Sequence, residues 1–344
     1  MRIAFATAVG VLAAAGVFGH GDRSRSESQP RPVPDTVSHE YADVNGVKLH
    51  YARAGRGPLM VFLHGFPEFW YEWHNQIAEF SRDHTVVAPD MRGYNLSSKP
   101  AELSEYAMPK LVEDVRALAG ELLKSTGGET FTLVAHDWGG VVAWVFAAMH
   151  PQMLDKLVIV NAPHPTIFGK LLTEDPAQQK ASQYMLMFRG PQAEETLSAN
   201  SYGMLTSMVL GAGLKDGTVT EADKKMYVDA WSQPGALTGG LNYYRASAIG
   251  PPASASGTTT PAGDPPAAAD NSSRGVEPPA LIVRAPTLVI WGEKDTALLA
   301  SNLNGLDRVV PTLTVKRVPD GTHWVVREKP AEVNRLIREF VTAR

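Results

Sequence analysis

The segment Thr130–Met149 (TFTLVAHDWGGVVAWVFAAM) limits what this chain can become more than any other stretch. Thr130–His136 is a β-branched, apolar run of strand length, and Gly139–Met149 is an apolar helix candidate. Only a sharp turn fits between them. There, Ala135-His136-Asp137-Trp138-Gly139 follows the pattern small-x-nucleophile-x-Gly, with Asp137 at its centre. Small flanking residues let the backbone close tightly and lift the central side chain above the strand. A carboxylate there is already anionic at neutral pH and can attack an electrophilic carbon, leaving an ester on the protein. An aspartate before a helix can equally serve as an N-cap. The rest of the chain decides between the two.

From Val37 the pattern turns to β, then alternates β with α. Further strands are expected at Val47–Ala52, Pro58–Leu63, Thr85–Ala88, Lys156–Val160, Thr287–Ile290 and Leu313–Val318. Helices are expected at Lys110–Leu123, with Leu111, Val115, Leu118 and Leu122 on one face, and at Ala331–Val341. This alternation predicts an α/β fold: a mostly parallel sheet flanked by helices, with active groups at the carboxyl ends of strands. Pro163 to about Ala248 is helix-like and rich in Tyr, Met and Leu, which predicts a helical cap inserted after the sixth strand. Gly250–Glu277 is rich in Pro, Ala, Ser and Thr and is expected to be a flexible linker. At the N-terminus, Arg2 followed by apolar Ile3–Phe18 and small residues at Ala13–Ala15 predicts a signal-like export segment, with a cytoplasmic location as the alternative.

Composition removes several kinds of chemistry. Cysteine is absent, so there is no disulfide, thiolate metal site or cysteine nucleophile. A net charge of −4 gives no electrostatic reason for nucleic acid or an anionic membrane as partner. Motifs for zinc, calcium or dinucleotide binding are missing too, so neither metal nor cofactor is expected. The oligomeric state is open, a homodimer included.

What remains are carboxylates, histidines and tyrosines. His64-Gly65-Phe66-Pro67-Glu68 follows a strand, and a turn there can aim the Phe66 N–H at the site. The Trp138 N–H can meet it from the other side, forming an oxyanion hole. Phe66-Pro67 is a candidate cis peptide bond, and His64 reads as a structural histidine. Asp295 sits in the loop after strand Thr287–Ile290, and His323 in the loop after Leu313–Val318. The chain order Asp137, Asp295, His323 is then nucleophile, acid, base. Glu293 and Asp320 are the rivals to Asp295. Phe66, Trp138, Met185, Met187 and Leu210 are expected to shape an apolar pocket.

These segments carry a resemblance. HGFPEFWYEW (His64–Trp73), DMRGY (Asp90–Tyr94), HDWGG (His136–Gly140), GEKD (Gly292–Asp295) and GTHW (Gly321–Trp324) are similar to motifs of α/β-hydrolase-fold epoxide hydrolases, in the same order. The resemblance spans about Val37 to the C-terminus. Together with the composition of the N-terminus and the linker, it gives an expected division into residues 1–36 (signal-like segment and linker), 37–163 (first part of the hydrolase core), 164–249 (helical cap), 250–283 (linker) and 284–344 (second part of the core). It also implies two cap tyrosines that bind the epoxide, Tyr184 and Tyr244, with Tyr243 the neighbour most easily mistaken for the second. A neutral phenol suits protonation of the alkoxide formed on ring opening. Asn95 departs from the family's glycine, but asparagine tolerates a left-handed backbone. The implied activity is conversion of a small apolar epoxide and water to a vicinal diol through a covalent ester on Asp137. Two alternatives remain open: a dehalogenase using the same aspartate, and a non-catalytic ligand-binding protein on this frame.

Overall fold

The structure, a computed structural model, describes residues 37–247, 249–251 and 280–343. The expected export segment and most of the Gly250–Glu277 linker lie outside the described residues. Strands run as β1 (Ser38–Val44), β2 (Val47–Ala54), β3 (Leu59–Leu63), β4 (Thr85–Pro89), β5 (Phe131–His136), β6 (Leu154–Val160), β7 (Thr287–Gly292) and β8 (Leu313–Val318). Among the described residues they form one sheet in the order β1-β2-β4-β3-β5-β6-β7-β8. Pairing is parallel from β4 through β8 and antiparallel at β1-β2-β4.

The apolar runs explain the middle of the sheet. Every residue of β3, β5 and β7 is buried, as expected for strands covered by helices on both faces. Each valine or leucine buried there contributes roughly 1.5–3 kcal/mol relative to exposure. At the edge, β1 falls within the β pattern expected from Val37 onward. Its sequence SHEYADV is mostly exposed and carries little apolar signal.

Helices α1 (His74–Phe80), α2 (Met108–Thr126) and α3 (Asp137–Met149) connect the first strands. On α2, Leu111, Val115, Leu118 and Leu122 are buried as the periodicity predicts, and Gly127 ends the helix with φ of 71°. Between β6 and β7 lies a helical insertion: α4 (Pro165–Glu174), α5 (Pro176–Ala181), α6 (Tyr184–Arg189), α7 (Ala193–Leu205), α8 (Gly211–Asp216), α9 (Glu221–Trp231) and α10 (Ala236–Ala246). The chain closes with α11 (Val325–Glu328) and α12 (Pro330–Thr342), whose Val333, Leu336 and Ile337 face the core. Among the described residues no helix is long and apolar enough to cross a membrane.

Strand order places the site. After β3 the chain turns towards β4 on one side, then returns to add β5 on the other. Such a reversal opens a crevice at the carboxyl ends of the two central strands. Leu63 pairs with Ala135, so the residues just beyond each strand meet above the sheet.

Candidate active site

Asp137 adopts φ of 48°, an uncommon conformation for a residue with a side chain. Its neighbours make the strained turn possible. A Cβ on Gly65 would collide with the Asp137 side chain, and one on Gly139 with the backbone of Leu63 and His64. Helix α3 therefore starts at Asp137 itself, two residues before the apolar run expected from the sequence. The Phe66 N–H donates to Asp137 Oδ1 at 2.8 Å, and the Phe66-Pro67 bond is cis. Trp138 is the second residue of α3, so its N–H is one of those a helix start leaves without an intrahelical acceptor. His64 is structural in its contacts: Nδ1 donates to Gly65 O and Nε2 accepts from Met91 N.

A second cluster forms where β6, β7 and β8 end. His323 Nδ1 lies 2.7 Å from Asp295 Oδ2, and His323 Nε2 lies 3.7 Å from Asp137 Oδ2. Asp295 is buried, and its Oδ1 accepts the N–H groups of Ala297 and Leu298 at 2.8 Å each. Asn161, directly after β6, donates to Asp295 Oδ2 at 2.8 Å and accepts Gly292 N–H at 2.7 Å. Burial opposes the charge on Asp295, yet His323, the Leu298 N–H and Asn161 outweigh it and hold the carboxyl below its usual range. For His323, burial alone would lower the pKa. The carboxylates of Asp295, which is also hydrogen-bonded to it, and of Asp137 instead raise it to about 9. Glu293 and Asp320 point elsewhere, pairing with Arg317 and Lys329 at the surface.

Tyr184 opens α6 and Tyr244 lies on α10, with ring centroids 6.3 Å apart. Tyr244 also packs edge-on against Trp138 and Phe66. Burial first, and the Asp137 carboxylate second, push both phenols above their ordinary pKa, so both stay protonated. Tyr243 is spent structurally, its hydroxyl donating to Arg92 O at 2.9 Å. A cavity of about 470 Å³ is bounded by Phe66, Asp137, Tyr184, Tyr244, Asp295 and His323. A second space of about 30 Å³ shares Asp137, Tyr184 and Tyr244, and adds Trp138, Phe168 and Met185. Thus the seven expected catalytic and oxyanion-hole residues line one or other of two hollows that share Asp137, Tyr184 and Tyr244. Two expected pocket residues do not. Met187 is 36 % exposed and Leu210 is fully buried, because the turns of α6 and of the segment Thr206–Leu210 face them away.

Three residues escaped the sequence reading. One is Asn161, whose signal was a polar side chain ending an otherwise apolar strand. Glu72, the third residue of the short turn Trp70–Trp73, is buried against His136. Arg327, one helical turn beyond His323, donates to Glu68 Oε1 at 2.8 Å and to the Tyr227 hydroxyl at 3.0 Å. Tyr227 in turn donates to Glu68 Oε2 at 2.6 Å.

A carboxylate on a sharp elbow, facing an imidazole–carboxylate pair at the ends of parallel strands, defines a hydrolase of the α/β class. The family model described as "alpha/beta hydrolase fold" matches residues 58–330. The AB hydrolase superfamily protein YfhM of Bacillus subtilis (strain 168) is 36 % identical over 311 residues, covering 89 % of this chain and 99 % of that protein. Epoxide hydrolase 4 of Mus musculus is 35 % identical over 321 residues, covering 90 % and 80 %. The crystal structure of Bacillus megaterium epoxide hydrolase in complex with an inhibitor superimposes with a TM-score of 0.77 at 36 % identity, covering 88 % of this chain and 100 % of that one. The chain belongs to the α/β-hydrolase-fold family, in its epoxide hydrolase group.

Proposed function

We propose that this protein hydrolyses epoxides to vicinal diols through an ester on Asp137. The observation that carries the reading is one cavity bounded on one side by Asp137 and on the other by the phenols of Tyr184 and Tyr244. An epoxide needs this opposition: a nucleophile on carbon and a proton donor on oxygen. Likeness to named epoxide hydrolases over about nine-tenths of the chain supports it.

Asp137 attacks a ring carbon, the C–O bond breaks, and the oxygen takes a proton from Tyr184 or Tyr244. His323, an imidazolium at rest, resupplies that phenol through solvent in the cavity and becomes neutral. Esterification also removes the negative charge of Asp137, one of the charges that raises the pKa of His323. The imidazole then takes one proton from water, and the hydroxide adds to the ester carbonyl. The oxyanion is met by the N–H groups of Phe66 and Trp138, each such donor being worth on the order of 10²–10³ in rate. The second water proton leaves with the diol, restoring carboxylate and imidazolium. No step requires a metal or cofactor.

Halide release gives no task to two phenols facing the carboxylate, so the dehalogenase alternative has no observation in its favour. The cavity of about 470 Å³ lies within the size range of pockets that hold small-molecule ligands, in keeping with a small apolar epoxide. Repeated turnover of styrene oxide in ¹⁸O-water, followed by peptide mass analysis, tests the route. The reading expects label in the Asp137 carboxyl. Diol formed with that peptide unlabelled would mean direct attack by water.

A further inference from the structure

Glu72 is 2 % exposed, lies in the short turn Trp70–Trp73, and has no place in the reaction as written above. Its Oε1 is 2.5 Å from His136 Nδ1, an approach bent away from the ring's N–H axis. On the other side of the ring, His136 Nε2 is 3.0 Å from the main-chain oxygen of His323. The two imidazoles also pack, with centroids 4.7 Å apart.

Donor counting settles the protons. A carbonyl oxygen only accepts, so His136 Nε2 carries the hydrogen of its bond to His323 O. Nδ1 and a carboxylate oxygen, both bare, would repel at their separation, so one proton lies between Glu72 and His136. Burial first, with Asp137 reinforcing and Arg327 opposing, pushes the Glu72 carboxyl up to about 8. Burial pulls His136 down to about 4. Both favour a neutral acid beside a neutral ring at neutral pH.

We propose that Glu72 is a positioning residue for the second half-reaction. By sharing a proton with His136 it holds the Nε2–H on the His323 carbonyl, and so fixes the base loop at its working distance from Asp137. The proposal rests on the ester mechanism for its kinetic consequence but not for its structural one. Without Glu72 the ring is no longer fixed from its Nδ1 side, so the Nε2–H tether on the His323 carbonyl loosens while Asp137, Tyr184 and Tyr244 keep their places.

Three proteins in full chain test this: parent, Glu72→Gln and Glu72→Leu. Glutamine keeps a donor for Nδ1, whereas leucine keeps only bulk. Single-turnover quench with styrene oxide separates ester formation from ester hydrolysis. Glu72→Leu should form ester at near the parent rate and hydrolyse it on the order of 10–100-fold more slowly, as a slightly misplaced catalytic group does. Glu72→Gln should restore most of the hydrolysis rate. Equal slowing of both steps in Glu72→Leu, or equal losses in the two variants, would overturn a positioning role. Independently of any ester, ¹⁵N-histidine NMR of the resting parent should show His136 protonated at Nε2, with a downfield proton shared at Nδ1. Leucine should abolish that proton. A parent lacking it rules the proposal out even where ester chemistry proceeds; ester absent but the proton present faults only the mechanism.

Discussion

The imidazole Nε2 of His323 stands 3.7 Å from Oδ2 of Asp137, near enough to feel its charge and too far to hydrogen-bond. The separation suits a base whose target is water beside the aspartyl carbon rather than the aspartate itself. A serine nucleophile would need its histidine in direct contact, because the hydroxyl must lose a proton. In the ester mechanism proposed above the nucleophile needs no activation, and the histidine is reserved for the ester.

Replacing His323 with glutamine should therefore divide the reaction. Ester formation persists, and hydrolysis of the ester falls by roughly 10²–10⁴, the usual worth of a general base. Intact-mass spectrometry after mixing with styrene oxide should find one substrate mass added per chain. Asp137→Ala should add none.

In the proposed reaction the two phenols share one task, so losses should compound. Tyr184→Phe or Tyr244→Phe alone leaves one donor and slows ester formation by about 10–100-fold, short of a full general-acid loss. The double variant should fall further than either, with hydrolysis of any ester formed little changed. Rapid-quench kinetics on each step checks both.

Protonation of His323 also links to stability. Its folded pKa, about 9, exceeds the ordinary 6.5. A raised value of this kind stabilises the fold in full below about 6.5 and is lost as pH rises through 9. Between those limits the melting temperature of the parent should fall relative to His323→Gln. Parallel melting curves across pH 6.5–9 would remove the linkage.

Arg327 ties the turn after β3 to α9 through Glu68 and Tyr227. Removing one member of a buried ion pair typically costs about 3–5 kcal/mol. Arg327→Met should destabilise the protein by that order, read by urea unfolding, because Glu68 is fully buried and its charge is left unmatched. Adding Glu68→Gln should recover part of the loss.

How far the sequence reveals this arrangement depends on where the determinants lie. Asp137 and Phe66 are legible because the turn chemistry is local: small residues, a strand before, a helix after. The buried strands are legible for the same reason. Asn161 and Asp295 are 134 residues apart, and Arg327 and Glu68 are 259 apart. Nothing in either neighbourhood signals the other, since their pairing follows from which strands lie side by side. Met187, unlike its neighbour Met185, failed, and for a different reason. In the six-residue helix α6 there is too little periodicity to tell the inner face from the outer, and the structure buries Met185 while exposing Met187.

The two hollows beside Asp137, about 470 and about 30 Å³, have one further consequence. On the proposed epoxide chemistry, a molecule with one bulky arm is expected to seat that arm in the larger hollow, its bare end towards Phe168 and Met185. Mirror-image forms of such a molecule would then offer the carboxylate opposite faces of the three-membered ring. A racemic mixture should therefore be consumed unevenly, one hand lagging behind the other.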